Sequence, residues 1–448
     1  METYDLIVIG AGPGGYRAAI DAARLGAHVA IVDKGSWGGT CTHWGCVPTK
    51  ALLACSRKYA EIRKFRRMGI SVSEAVLDFG IMKRHQQQMV RIAALGIRKT
   101  LETAGVRLRE GKAVMLSPSE VEIIAASGTT DRLRARHILI AWGAESAMPS
   151  GIERSVRILD STDFLALNRL PASVVIIGGG AIGVEFATFL AECGVGVTLV
   201  EVMEQLLPFE ESDAAELLKT ELQKTGTDVL TSARVTSLSD TDSGVRLKVC
   251  HRDAEKVVDA DYALVCTGRK PFLRIGELDK LSVRYDQRGI MINEHLMTNV
   301  DNIYAVGDVT GGVLLAHRAM IQGRALAHRL FGEDTMGCDD DLIPTVVYSH
   351  PNVARVGLTE KEARKRGLNI EVRKTDYGSN IIARTELMGS GFIKTIFSDN
   401  TLVGVTIAGD EAGELIASMG MAVAHRMSAR DLQQWVLPHP TLSEILGL

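Results

Sequence analysis

Apolar and polar positions follow one arrangement twice along this chain. Residues 5–33 (DLIVIGAGPGGYRAAIDAARLGAHVAIVD) run from a continuous apolar stretch into G-x-G-x-x-G, then an Ala-rich segment, a Gly, and a β-branched stretch closed by an acid. Residues 173–201 (SVVIIGGGAIGVEFATFLAECGVGVTLVE) repeat that order. First Gly and closing acid lie 23 positions apart in both copies, from 10 to 33 and from 178 to 201. Continuous apolar runs fit strands buried on both faces of a parallel sheet, so each copy predicts strand, turn, helix, strand. The longest apolar stretch, Val174 to Val200, holds Glu185, Glu192 and Gly178-Gly179-Gly180. Two carboxylates and three glycines suit such a unit and not a membrane span. Between the repeats, residues 57–67 (RKYAEIRKFRR) continue a helix as a basic run, read as a solvated face or a dock for an acidic partner. Residues 70–137 mix a helix with short strands, and 204–267 complete the second unit in the buried strand YALVCTG. After about residue 340 the pattern alternates (TVVYSH, FIKTIF, LVGVTI) before an amphipathic helix at 410–425, which predicts an α+β C-terminal domain.

Each repeat carries a mechanism for holding a dinucleotide. Gly10 and Gly178 permit the tight turn, Gly12 and Gly180 let backbone approach a pyrophosphate, and Gly15 and Gly183 let helix pack on strand. The pyrophosphate then meets free N–H groups at a helix N-terminus. Asp33 and Glu201 are placed to accept from a ribose 2′-OH. Glu201 repels a 2′-phosphate, and the following VMEQLL offers no Arg or Lys to receive one, which favours NAD over NADP. The expected fold is α/β, with two Rossmann-like dinucleotide-binding domains and the α+β domain.

Composition narrows the class. The 448 residues are 46% hydrophobic and 23% charged with a formal net charge of −3, an ordinary globular balance without an electrostatic footprint for nucleic acid. Gly is in excess at 44 residues, and the two triplets account for part of it. The acidic start METYD lacks a basic n-region, so a cytoplasmic protein without signal peptide or membrane segment is expected. The 7 cysteines make a poor disulfide framework.

Only Cys41 and Cys46 are close, in residues 38–50 (GGTCTHWGCVPTK). Four residues between them exceed a C-x-x-C motif, and no second pair follows at zinc spacing, so no metal is expected. A helix beginning near Pro48 puts Cys46 at its N-terminus, with Lys50 a turn on, and both features favour a thiolate. These features point to a redox-active pair, the alternative being two unrelated thiols in a Gly-rich loop. The other five cysteines are read as inert and buried.

With these motifs the chain resembles the class I flavoprotein disulfide reductases, and within them the dihydrolipoyl dehydrogenase branch. GGTCTHWGCVPTKALL resembles the family's active disulfide, GGGAIGVEFA its NAD site, CTGRKP (266–271) the return to the flavin domain, and NIYAVGDV (302–309) its second FAD motif. TVVYSHPNVARVGLTEKEA (345–363) resembles the opening of its interface domain, and PHPTLSE (438–444) its His-Glu ending. The resemblance implies electron transfer from dihydrolipoyl groups through Cys41–Cys46 and FAD to NAD. Cys41 then exchanges with substrate, Cys46 faces the flavin, Lys50 pairs with Glu185, and His439, oriented by Glu444, serves the other subunit's disulfide. FAD contacts are implied at Gly10, Gly12, Gly14, Gly15, Asp33, Lys34, Gly39, Thr40, Lys50, Gly143, Gly307, Asp308 and Ala316. NAD contacts are implied at Gly178, Gly180, Ile182, Gly183, Glu185, Glu201 and Gly268. Glu444 also completes a T-x-x-E capping box. Trp37, Trp44 and Tyr16 read as packing residues. The implied domains are FAD-binding (1–147 and 268–339), NAD-binding (148–267) and interface (340–448), with a homodimer and a lipoyl-bearing carrier as partners.

The chain departs from the family pattern at Trp142 in Ala141-Trp142-Gly143, at Gln322, and in stopping four residues after Glu444. Rival readings are a glutathione, mercuric or coenzyme A disulfide reductase, a variant serving a lipoyl carrier outside the usual complexes, a transhydrogenase, or a non-catalytic flavin scaffold.

Overall fold

A computed structural model describes residues 2–252, 254–333 and 337–447. The chain divides into two compact units, one of Met1–Thr49, Arg84–Ala147 and Gly268–Asp340, the other of Lys50–Lys83, Met148–Thr267 and Asp341–Leu448.

In the first unit a parallel sheet runs Arg107–Glu110, Val29–Asp33, Glu2–Ile9, Thr130–Ile140, Ile303–Ala305, and Glu120–Ile124 and Lys112–Ser117 extend it antiparallel. The apolar run of its central strand is explained by two covered faces. Leu6, Val8 and Ile31 meet Ala18, Ala19 and Ala22 of the helix Pro13–Arg24. Ile7, Ile9 and Val32 point the other way, against Met115 and Val121. Side chains alternate across a strand, so a strand buried twice has no polar phase. The helices Pro13–Arg24 and Ala316–Phe331 cross at two glycines, since a Cβ on Gly323 would lie 2.3 Å from the Gly14 carbonyl oxygen.

The second unit repeats this design in a parallel sheet ordered Asp228–Leu230, Gly196–Val200, Ser173–Ile177, Tyr262–Val265, Ile158–Asp160. Val174 and Ile176 face one cluster, Val175 and Ile177 another. The unit adds a three-stranded antiparallel sheet over 233–260 and a five-stranded antiparallel sheet ordered Thr345–Val347, Asn352–Gly357, Thr401–Gly409, Phe392–Ser398, Ile370–Asp376. The helix Ala412–Ala424 covers that last sheet through Leu415, Ile416 and Met419. The α/β class and the α+β C-terminal region are as the pattern predicts.

The two Gly-rich turns match in detail. Gly10 and Gly178 both have φ of 108°, and a Cβ on either would meet a neighbouring strand's carbonyl oxygen, Ala141 at 2.3 Å and Cys266 at 2.4 Å. A Cβ on Gly15 or Gly183 would stand 1.9 Å from the Gly10 or Gly178 oxygen. Gly183→Ala should therefore cost about 1–3 kcal/mol, the scale of overpacking. A thermal unfolding midpoint equal to that of the parent would refute this.

Candidate active site

The first unit carries the cysteine pair. Gly38, left-handed at φ 104°, opens the short helix Gly39–His43 that bears Cys41. The helix Cys46–Phe65 then starts at Cys46, two residues before the predicted Pro48. Thr49 explains the earlier start, because its N–H and its hydroxyl both donate to the Gly45 carbonyl, at 3.2 and 2.7 Å. Cys46 thus occupies the first position of a 20-residue helix, where the dipole favours a thiolate. Both thiols are half-buried. Burial first, and then the charge of Cys41, push the Tyr16 phenol up to about 12. A Cβ on Gly39 would fall 2.7 Å from the Gly12 Cα, which seats the cysteine loop directly on the first Gly-rich turn. Trp37 is buried, as a packing residue should be, whereas Trp44 is exposed and touches the His43 ring at 5.3 Å.

The same unit fits a flavin dinucleotide. A Cβ on Gly12 would meet nothing within 4 Å, so glycine there answers no need of the protein's own packing and leaves room for a phosphate group. Asp33 accepts from the Ala11 N–H at 2.9 Å and the Ser36 N–H at 2.8 Å, locking the turn. Lys34 beside it is exposed, and Thr40 and Gly143 are half-buried. Burial pushes the Asp308 carboxyl up against the opposing charges of Arg269 and Arg318, a state a hydroxyl-rich ligand would relieve. Gly307 donates its N–H to Gln322 Oε1 at 2.8 Å, and Ala316 begins its helix without a side-chain cap. Gln322 thus holds the Gly307–Asp308 turn in place. The Trp142 indole is taken up by packing, with the Arg274 guanidinium 4.7 Å from its ring. Gly268 falls in this unit, not in the unit of the second repeat with which the other implied NAD contacts lie.

The second unit holds the other residues. Glu201 is buried and accepts from the Gly179 N–H at 2.5 Å and the Met203 N–H at 2.8 Å, the counterpart of Asp33. A Cβ on Gly180, like one on Gly12, meets nothing, and Ile182 is half-buried beyond it. Glu201→Ala should orphan the Gly179 N–H and remove the ribose acceptor, weakening NADH binding about tenfold, the scale of one buried hydrogen-bond partner lost. Fluorescence titration checks this, and unchanged affinity would contradict the role.

Lys50 donates to both oxygens of Glu185, at 2.9 and 2.8 Å, and Glu185 is buried. The pairing across 135 residues is the one the resemblance implies. Its third partner escaped sequence reasoning. The Tyr348 N–H donates to Glu185 Oε1 at 3.0 Å, and the Tyr348 ring centroid lies 4.6 Å from Lys50 Nζ. Only the aromatic in TVVYSHP hinted at it.

At the C-terminal end, His439 Nδ1 meets Glu444 Oε1 at 2.7 Å while Glu444 Oε2 accepts from the Thr441 N–H at 3.2 Å. Hydrogen bonds from His439 and then Thr441 hold the Glu444 carboxyl below the usual range. Capping box and His-orienting carboxylate are therefore one structure. The His439 side chain is 77% exposed, so with Nδ1–H given to Glu444 its Nε2 lone pair faces outward. Of the other five cysteines only Cys266 is buried; Cys55, Cys193 and Cys338 are half-buried and Cys250 is exposed on the strand Val245–His251, which corrects the expectation that all five are buried. Its exposure follows from an antiparallel strand with one solvated face. Among the described residues no group of three His, Cys, Asp or Glu is arranged for a metal ion, and no helix is long and apolar enough to cross a membrane.

Comparison with known proteins agrees with this geometry. The profile of the pyridine nucleotide-disulphide oxidoreductases matches residues 4–323, and that family's dimerisation domain matches residues 343–447. The chain belongs to this family, a homodimeric FAD- and NAD-using class of disulfide oxidoreductases. It is 34% identical to the dihydrolipoyl dehydrogenase of Geobacillus stearothermophilus over 99% of this chain and 95% of that one. It is equally 34% identical to the dihydrolipoyl dehydrogenase of Bacillus subtilis, over 98% and 96%. Among solved structures, LpdA of Mycobacterium tuberculosis aligns with a TM-score of 0.91 at 25% identity, over 100% of this chain and 98% of that one. The Cu(II) complex of the HOCl-induced flavoprotein disulfide reductase RclA of Escherichia coli aligns with 0.87 at 27%, over the same shares.

Proposed function

We propose that this chain is a dihydrolipoyl dehydrogenase, oxidising dihydrolipoyl groups on a carrier protein in the cytoplasm and reducing NAD. The observation that carries the reading is the exposed His439–Glu444 pair in a chain that also keeps Cys41 and Cys46 at a helix start. A binding scaffold or transhydrogenase needs none of these. Glu201, buried where a 2′-phosphate would stand, and the absence of basic residues after it support NAD over NADP.

In this reading residues 1–147 and 268–339 bind FAD, 148–267 bind NAD, and 340–448 form the interface domain. Cys41, as thiol acceptor, takes one substrate sulfur into a mixed disulfide as the Cys41–Cys46 bond breaks and Cys46 leaves as thiolate. His439 of the second copy accepts the proton of the first substrate thiol at Nε2, its Glu444 stabilises the imidazolium, and the proton of the second thiol passes to Cys41 as that sulfur is displaced. The second substrate sulfur then displaces Cys41, releasing a cyclic disulfide and leaving two electrons on the protein dithiol. FAD, when bound, supplies the two-electron acceptor between that dithiol and NAD. Asp33 and Asp308 would hold its ribose and ribityl hydroxyls, Gly10, Gly12 and Gly15 would hold its pyrophosphate, and Lys50 with Glu185 would supply a fixed charge pair for the nicotinamide step.

One assay tests the reading. The purified yellow protein should turn over dihydrolipoamide with NAD and stay idle with NADPH and glutathione disulfide. The reverse result, or silence in both, would overturn it.

A further inference from the structure

The sequence-derived site stops at Glu185, but the geometry around it continues into a second layer. Two helices, Cys46–Phe65 and Ala181–Glu192, are joined at two levels. Lys50 meets Glu185 at one, and six and seven residues further on Ser56 Oγ donates to Glu192 Oε2 at 2.5 Å at the other. A single turn, Tyr348–His350, touches both. Tyr348 contacts Glu185 and Lys50, and His350 Nδ1 lies 3.0 Å from Glu192 Oε1. The other ring nitrogen, His350 Nε2, lies 3.4 Å from Asp410 Oδ1.

This arrangement dictates a charge state. An ionised carboxylate only accepts hydrogen bonds, so an imidazole with a carboxylate at each nitrogen satisfies both only as the doubly protonated cation. Glu192 and Asp410 are 6% and 5% exposed, so a neutral ring would take a positive charge from between two buried anions. The surrounding charges continue the alternation. Arg57 Nη2 reaches Asp410 Oδ1 at 3.5 Å and Glu411 Oε1 at 3.1 Å, its Nε binds Glu61 at 3.1 Å, and the charge of Lys64 also acts on Asp410. Asp410 Oδ2 accepts from the Gly389 N–H at 3.3 Å, and the Tyr377 hydroxyl donates to the Asp410 carbonyl at 2.8 Å.

We propose that His350 is a positioning residue for the Lys50–Glu185 pair: its imidazolium, bound between Glu192 and Asp410, holds the Tyr348–His350 turn so that the Tyr348 N–H meets Glu185 and the Tyr348 ring meets Lys50. The proposal rests on the nicotinamide-facing role given above to that pair. Protonation makes it sensitive to pH. Burial alone would lower the imidazole, but hydrogen bonds to Asp410 and Glu192 and their charges outweigh it and push His350 up to about 9. Because the folded value lies above the ordinary value of about 6.5, the clamp is complete below that value and is lost as pH rises through about 9.

The test reads the rate at which NADH reduces the enzyme's FAD in rapid mixing, from pH 6 to 10, with no dithiol present. The wild-type rate should fall through about pH 9. His350→Gln should abolish that alkaline arm and run roughly tenfold slower at pH 7, as expected of a reacting geometry displaced by less than ~1 Å. Asp410→Asn, which keeps the ring and removes one anion, should move the arm to lower pH. An arm unmoved in both variants, or wild-type rates for His350→Gln at pH 7, would overturn the proposal. If His350→Gln fails to fold, the Asp410→Asn shift decides alone. The readout omits the dithiol, so a wrong substrate assignment leaves it untouched and shows only as failed dihydrolipoamide turnover.

Discussion

His439→Gln should slow dihydrolipoamide oxidation by about 10²–10⁴-fold, the contribution of a positioned general base. Three features make this the sharpest test of the site. Nδ1 is committed to Glu444 at 2.7 Å, which fixes the tautomer and leaves Nε2 to take the proton. The side chain is 77% exposed within its own chain, so the substitution removes almost no packing inside that chain. The Gly-rich turn, Asp33 and Asp308 that fit FAD lie in the other unit, so the visible flavin spectrum should persist. Steady-state turnover beside the absorption spectrum reads both. Turnover within threefold of wild type would remove His439 from the mechanism. Glu444→Gln should follow the same direction with a smaller loss, because an amide can still accept from Nδ1–H but cannot stabilise an imidazolium by charge.

Cys41→Ser should abolish dithiol turnover, a loss of about 10⁴-fold or more for a removed nucleophile, while NADH oxidation by an artificial dye continues. A hydroxyl neither forms the mixed disulfide nor leaves as a thiolate, whereas the path from NADH to FAD does not involve this sulfur. Cys250→Ser is the matching control. It is an exposed thiol on the strand Val245–His251, and both activities should survive its loss. Equal damage from the two substitutions would mean that thiol loss acts through the fold and not through exchange at Cys41.

Legibility in the sequence followed the range of the forces involved. The repeats could be read because a Gly-rich turn is largely a local object: a Cβ on Gly15 would stand 1.9 Å from the Gly10 oxygen five residues back, and only the requirement on Gly10, set by the Ala141 carbonyl at 2.3 Å, comes from a distant strand. The helix start at Cys46 was legible to within two residues, the miss coming from Thr49, whose hydroxyl extends the helix backward by capping Gly45. Tyr348, His350 and Glu192 were invisible as a group. None stands in a spacing pattern with the others, and a Tyr or His in a strand-like run is ordinary. The basic run 57–67 suggests a single solvated face or a dock for an acidic partner, yet Arg57 serves Asp410 and Glu411 while Arg63, Arg66 and Arg67 are exposed. Charge composition does not say which cation finds a buried anion.

The sequence by itself determined the class of chemistry: two dinucleotide cradles, a dithiol at a helix start, and a capped His-Glu end. All are built within a few dozen residues, where backbone geometry and hydrogen-bonding valence leave little choice. Only the tertiary structure decided which side chains complete them. Lys50 meets Glu185 across 135 residues, Glu192 meets His350 across 158, and Arg57 meets Glu411 across 354. Closing such loops costs entropy that grows only slowly with their length, so sequence separation says little about which ends meet. The choice is made by the packed sheets and helices that carry those side chains into contact.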